Sequence, residues 1–215
     1  MAAELVVGKA FDLAVGELLS TSVQRLMATR TSAVRAAIVE DARNARVELN
    51  DLVLKDENVA MMVALVDALR QGAAIRNLRI IARILTYKAS HPAEGTDDFL
   101  NWTDTVRALT TKEIIFLLTL WRSFQEDPDE PDADRDPNKS ARAKAFTKLV
   151  GAGKLLRDTQ EYEVYGYSLL RTGLVAMISI MAEFNMFRPT EKLAKLIEMA
   201  RLNEWAEGEL GTKND

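Results

Sequence analysis

Apolar residues recur every three or four positions along most of this chain, and that period is what most restricts its fold. The clearest stripe steps by four, four, three, four and three residues: Val34, Ile38, Ala42, Ala45, Leu49 and Leu52. Its mean step of about 3.6 residues is the period of an α-helix. Only 10 glycines and 5 prolines interrupt such patterns in 215 residues. The sequence therefore predicts a mostly α-helical protein.

The first 90 residues read as an N-terminal helical bundle. The period predicts four helices, over residues 4–28, 31–54, 58–70 and 73–89. The polar stretch 90–98 contains Pro92 and Gly95 and predicts a linker. The predicted organisation is a helical region over 1–90, a linker over 91–98, a second domain over 99–208 and a loose tail over 209–215.

The second domain begins with helical patterns and then changes period. Thr110 and Glu113 have capping-box spacing at the start of a strongly apolar helix. After Gly173 the residues become β-branched and aromatic, which predicts a two-stranded hairpin over 174–188. Helix is the competing assignment there, because methionine and alanine both favour it. Thr190 is the expected N-cap of a final helix.

This order of elements resembles the winged-helix family. The residues that carry the resemblance stand at the end of the helix before the hairpin: Leu169, Leu170, Gly173, Leu174 and Val175. In that family a helix ends in Leu-x-x-x-Gly-Leu-[Ile/Val] and two strands form the wing. The resemblance implies a winged-helix-like α+β domain. It departs from the family's pattern after the hairpin, where Lys192 or Leu193 stands at a position usually held by glycine. The layout also resembles abortive-infection alpha-type bacterial proteins, which place a long helical region before a similar module.

The composition argues against several kinds of active site. The absence of cysteine excludes disulfides, thiolate metal sites and cysteine nucleophiles. The single histidine, His91, lies in the predicted linker, where surface exposure is the usual outcome. Neither a phosphate-binding glycine loop nor a Glu-x-x-His pair occurs. We therefore predict a non-enzymatic protein with no cofactor and no metal. The apolar runs are too short to span a membrane, so the expected location is cytoplasmic.

Charge is unevenly distributed along the chain. The segment Glu126–Asp136 holds seven acids and one arginine, so the rest of the chain is +2 although the total is −4. The acidic, proline-spaced composition of residues 126–138 predicts a mobile loop. The following segment, 139–157, holds six Lys/Arg and no acid. Two sets of basic residues are candidates for anion binding, with a solvated face as the plainer alternative: Arg76, Arg79 and Arg83, and Lys144, Lys148 and Lys154.

The helix before the hairpin is poorly suited to read DNA. Glu161 and Glu163 would lie near phosphates, where carboxylates are unfavourable. Tyrosine and methionine are better suited to protein contacts. The candidate partner surface comprises Tyr162, Tyr165, Tyr167, Met181, Met186 and Phe187. Met177 is a further candidate, and it, the other two methionines and Phe187 could instead fill core.

Two functions follow from these patterns. The leading prediction is a protein-interaction or regulatory module that binds a protein partner or itself, as a homo-oligomer. Its basis is the alanine- and arginine-rich N-terminal helices together with the apolar hairpin. The alternative is a nucleic-acid-binding regulator that uses segment 139–157, with the acidic loop as an autoinhibitory mask.

Overall fold

The computed structural model describes residues 21–45, 56–91, 96–126, 141–178 and 185–204. The chain divides into two compact units, Met1–Leu109 and Thr110–Asp215. The predicted mostly α-helical fold with a small two-stranded hairpin is confirmed. The hairpin is the described sheet, and every other named element is helical.

The described helices of the N-terminal unit are α1 (Thr21–Ala45), α2 (Asp56–Arg70), α3 (Ile75–Ser90) and α4 (Thr96–Arg107). α1 runs without interruption through the break that the sequence predicted at 29–30. That break was wrong because the junction contains neither glycine nor proline, so nothing in the backbone stops the helix. Gly72 separates α2 from α3 with φ +81°, a left-handed conformation that glycine adopts at little cost.

Helix α3 is the centre of this unit and packs against α1, α2 and α4. Its buried Asn77 donates hydrogen bonds from Nδ2 to the carbonyls of Val106 (2.9 Å) and Leu109 (2.7 Å). These carbonyls lie in the last turn of α4 and just beyond it, where helical partners run out. At the other end of α3, the ammonium of Lys88 lies 3.5 Å from a carboxylate oxygen of Asp98, near the start of α4. Helices α3 and α4 therefore run antiparallel.

The two units divide after Leu109, whereas the sequence analysis placed the boundary at 91–98. Helix α4 packs against α2 and α3, and this is why it belongs with the N-terminal helices. The helix that the sequence assigned to the second domain is thus held by contacts with the first. Half of the predicted linker, residues 92–95, lies outside the described residues.

The C-terminal unit contains α5 (Thr111–Glu126), α6 (Ala141–Leu149), α7 (Thr159–Leu170), β1 (Val175–Ile178), β2 (Met186–Pro189) and α8 (Glu191–Met199). A short 3-10 turn over Leu202–Glu204 follows. The predicted acidic loop beyond residue 126 and the predicted tail lie outside the described residues.

Side chains cap these helices as the sequence predicts. The amide of Glu113 donates to Thr110 Oγ1 (3.2 Å), and the amide of Thr110 donates to Glu113 Oε2 (2.7 Å), which confirms the capping box. Thr190 accepts from the amide of Leu193 and is the N-cap of α8. This helix ends at Met199, and Arg201 just beyond it adopts φ +48°.

Strands β1 and β2 form an antiparallel pair in which Val175 lies opposite Pro189 and Met177 lies opposite Phe187. The predicted hairpin is confirmed, although residues 179–184 between the strands lie outside the described residues. Directly opposed residues share one face of an antiparallel pair. Val175 and Phe187 are buried, so this face meets the core at these two residues, whereas Met177 on the same face is exposed at the edge of the hairpin.

In the parts of the chain that the structure describes, no helix has both the length and the apolar character needed to cross a membrane.

Candidate protein-interaction site

The core of the C-terminal unit is an aromatic cluster. The rings of Phe116, Phe146 and Phe187 lie 5.2, 5.1 and 5.7 Å from the ring of Tyr162, measured between centroids. Tyr162 and Phe187 are both fully buried. The sequence analysis placed Tyr162 on a partner surface, which was wrong because its ring fills the core. For Phe187 the structure agrees with the alternative, a core position. Burial also raises the pKa of Tyr162 to about 12.

Phe187 docks the hairpin onto α7 through an unusually close approach. Its ring lies directly against the backbone of Gly166, where a Cβ atom would come closer than 3.0 Å to three ring atoms. Only glycine leaves room for the ring at this position in the helix. Gly166 therefore sets the distance between α7 and β2, and the sequence analysis did not single it out.

A second contact fixes the start of β2 to the same helix. The carboxylate oxygen Oε1 of Glu163 accepts hydrogen bonds from the backbone amide (2.8 Å) and the side chain (3.1 Å) of Asn185. The same Asn185 side chain donates to the hydroxyl of Tyr167 at 2.6 Å. Glu163 is thus a structural acceptor that orients the hairpin.

Around these contacts three apolar side chains remain open to solvent. The exposed fractions are 59% for Val164, 46% for Tyr167 and 45% for Met177. Val164 and Tyr167 are three residues apart and share the outer face of α7. Met177 lies opposite Phe187, whose ring also meets the edge of Tyr167 at 5.8 Å. We name these three residues the α7–hairpin patch.

The remaining candidates for the partner surface are less exposed. Tyr165 is half-buried, and the ammonium of Lys112 lies 5.6 Å from its ring centroid. Met186 is half-buried in β2. Met181 lies outside the described residues. Of the residues that the sequence analysis named, the structure thus places Tyr167 and Met177 in the patch, whereas Val164 was missed.

A charge cluster joins the N-terminal ends of α5 and α7. Glu161 accepts hydrogen bonds from the backbone amide of Arg157 (2.7 Å) and from the ammonium of Lys112 (3.0 Å). Both contacts lower the pKa of Glu161, which falls to about 2. The hydrogen bond from the amide has the larger effect. In return, the hydrogen bond to Glu161 raises the pKa of Lys112. Glu161 is thus paired with two cations, because the guanidinium of Arg157 also lies 3.4 Å from its carboxylate.

The lysines proposed as anion ligands are engaged within the protein. The ammonium of Lys148 lies 2.8 Å from a carboxylate oxygen of Glu126 and lowers its pKa. The ammonium of Lys154 donates to the carbonyl of Thr147 in the last turn of α6. Lys144 is half-buried. The structure thus does not gather the three ammonium groups into one open site.

The three arginine candidates on α3 also differ in their contacts and exposure. The guanidinium of Arg83 lies 3.4 Å from the buried carboxylate of Asp41 and ties α3 to α1. Arg76 is half-buried, whereas Arg79 is exposed. Because Arg83 already neutralises a buried carboxylate, the three residues do not form a free anion-binding face.

His91 lies at the end of α3 and is exposed, in agreement with the surface position expected from the sequence. Its ring stacks on Tyr87 at 4.2 Å, and Nδ1 lies 2.9 Å from the Tyr87 carbonyl. Within the described ranges, no cluster of histidine and acidic side chains could hold a metal ion.

Comparison with protein-family models, with curated proteins and with solved structures finds no match to this chain. The winged-helix and abortive-infection resemblances therefore stay predictions. The function has to be argued from the geometry of the two units.

Proposed function

We propose that the protein is a non-enzymatic protein-interaction or regulatory module that self-associates and binds a protein partner on the α7–hairpin patch. The observation that carries this proposal is the exposure of Val164, Tyr167 and Met177 on a helix and a strand that are locked together. Exposed apolar side chains on a fixed scaffold are typical of protein contacts.

The patch has the chemistry of an interface centre. Tyr167 offers a ring and a hydroxyl, and methionine adapts to irregular partner surfaces. Glu163 and Asn185 supply polar groups beside these side chains. Hydrogen bonds and the Gly166 contact already hold the patch in place. The patch therefore loses little conformational entropy when a partner binds there.

The charges near the patch favour a protein over a nucleic acid. Glu161 and Glu163 add two carboxylates to α7, and the positive charges closest to Glu161 are paired with it. Lys148 and Lys154 of the basic segment are bonded within the unit. A phosphate backbone would have to break these pairs before it gained counterion release.

The test compares two substitutions that add the same charge to the same unit. Val164→Glu places a carboxylate in the patch, and Gln125→Glu places one on an exposed position of α5. We expect partners captured from lysate by the wild-type protein to be lost with Val164→Glu and retained with Gln125→Glu. Truncations at interface centres weaken binding by roughly tenfold or more.

Circular dichroism of both variants checks that folding is unchanged, as expected for an exposed position. Equal capture by the two variants would contradict the patch as the binding site. Salt-dependent binding to random duplex DNA, weakened by Lys148→Ala, would instead support the nucleic-acid alternative.

A further inference from the structure

The α7–hairpin patch contains a thioether that is open to solvent. Met177 is 45% exposed, whereas Met61, Met62 and Met199 are 4%, 8% and 1% exposed. Met186, on the other strand of the hairpin, is half-buried. Oxidants dissolved in water attack exposed methionines more readily than buried ones. Of the methionines whose surroundings the structure describes, Met177 is therefore the one that such an oxidant reaches most readily.

The hairpin holds this thioether at a fixed place beside the aromatic rings. The amide of Thr190 donates to the carbonyl of Leu174 (3.1 Å), and bonded and non-bonded pairs alternate along an antiparallel ladder. Met177 and Phe187 are three steps further in the same register, so they form a non-bonded pair, in which side chains approach most closely. The ring of Phe187 in turn contacts the ring of Tyr167. A change at the sulfur therefore alters the patch and leaves the hydrogen bonds of the ladder in place.

We infer that Met177 is a site of reversible oxidation by hydrogen peroxide, and that its sulfoxide prevents the α7–hairpin patch from binding a protein partner. The inference rests on the proposed function and adds a means of regulating it. Met177 combines the two properties that this regulation requires. It is open to the oxidant, and it is one of the three side chains that form the patch.

The reaction needs the peroxide as its co-reactant. A lone pair of the sulfur attacks one peroxide oxygen, so that an S–O bond forms and the O–O bond breaks. The proton on the transferred oxygen passes to the departing hydroxide, which leaves as water. The thioether loses two electrons and the peroxide gains them. Methionine sulfoxide reductases reverse the step with a dithiol, which becomes a disulfide while the oxygen leaves as water.

The sulfoxide puts a polar group where the patch had an apolar one. Its S–O group accepts hydrogen bonds, and burying such a group in an interface without a donor is unfavourable. The side-chain amide of Asn185, beside the patch, already donates to Glu163 and Tyr167. A partner that covers Met177 therefore covers an acceptor that this amide leaves unsatisfied, and we expect oxidation to weaken binding roughly tenfold or more.

Mass spectrometry tests the site of oxidation in the folded full-length protein. The protein is treated with hydrogen peroxide for increasing times, and fragment ions assign the added oxygen to individual methionines. We expect Met177 to be oxidised about tenfold or more faster than Met61, Met62 and Met199, because these three are buried. The same treatment in urea is the control and should make the rates alike. Equal rates in the folded protein, or a slower rate at Met177, overturn the inference.

Capture of partners from lysate tests the effect on binding, with the peroxide removed beforehand. Peroxide-treated wild type should lose its partners, and incubation with a methionine sulfoxide reductase and a dithiol should restore them. Met177→Leu is the matched control, because leucine keeps an apolar side chain and has no sulfur to oxidise. Treated and untreated forms of this variant should capture equally. Met177→Gln, which places a permanent polar group in the patch, should capture as little as the treated wild type.

The outcomes separate this inference from the proposed function. A treated wild type that captures as much as the untreated one overturns the inference and leaves the proposed function standing. An equal loss with treated Met177→Leu shows that the oxidation acts elsewhere, and this also overturns the inference. An untreated wild type that captures no partner overturns both.

Discussion

Replacing Gly166 by alanine tests whether the hairpin is held where the structure places it. Alanine at an unobstructed helix position is favoured over glycine by about 1 kcal/mol. At Gly166 the added methyl group would lie within 3.0 Å of three atoms of the Phe187 ring. That ring is fully buried and packed against Phe116, Tyr162 and Tyr167, so it cannot swing aside.

The two effects oppose each other, and their magnitudes decide the sign. Overpacking of a filled core costs about 1–3 kcal/mol and sometimes more. Because the obstructing atoms belong to a confined ring, we expect about 3 kcal/mol at this position. After the helix-propensity gain of about 1 kcal/mol, Gly166→Ala should destabilise the C-terminal unit by about 2 kcal/mol.

Hydrogen exchange is the appropriate assay, because it reports on each unit separately within the full chain. Amides of α7 and β1 should exchange faster in Gly166→Ala, whereas amides of α3 in the other unit should be unchanged. Val164→Ala is the matched control in α7, because its side chain is exposed and its replacement should shift stability by less than about 0.5 kcal/mol.

A double substitution isolates the steric cause. Leucine at position 187 lacks the ring atoms that approach Gly166 most closely, so Phe187→Leu should remove most of the obstruction. In that background Gly166→Ala should be neutral or stabilising, with a coupling energy between the two sites of roughly 2–3 kcal/mol. The reasoning is refuted if Gly166→Ala alone stabilises the protein, because β2 would then not lie against α7.

Three further predictions concern single side chains. Asn77→Ala leaves the carbonyls of Val106 and Leu109 without their side-chain donor. It should destabilise the N-terminal unit by about 1–3 kcal/mol, measured by urea unfolding. An unchanged free energy of unfolding would show that another group replaces the donor. Thr190→Ala should cost about 1 kcal/mol, whereas Thr190→Ser, which keeps the capping oxygen, should cost less. The pKa of Glu161 is lowered from 4.5 to about 2, so its stabilising contribution is complete above pH 4.5 and is lost as pH falls through about 2. The melting-temperature difference between wild type and Glu161→Gln should therefore shrink over that interval, and a constant difference would show that the Glu161 carboxylate does not stabilise the fold through its charge.

Local signals in the sequence predicted the elements of this fold well. The Thr110–Glu113 box and the Thr190 cap act over three residues, and the change of period after Gly173 marks the hairpin directly. The boundary between the units was not predictable in this way. It follows from the packing of α4 against α2 and α3, to which the hydrogen bond from Asn77 to Val106, 29 residues away, contributes.

The patch was only partly predictable, for the same reason. Three tyrosines in "EYEVYGY" look equivalent as a pattern, yet Tyr162 is core, Tyr165 is half-buried and Tyr167 is exposed. Which one faces the core depends on where Phe187 docks, and that depends on Gly166. A glycine within a helix is usually interpreted as a weak point, whereas the role of Gly166 follows from a ring on a distant strand.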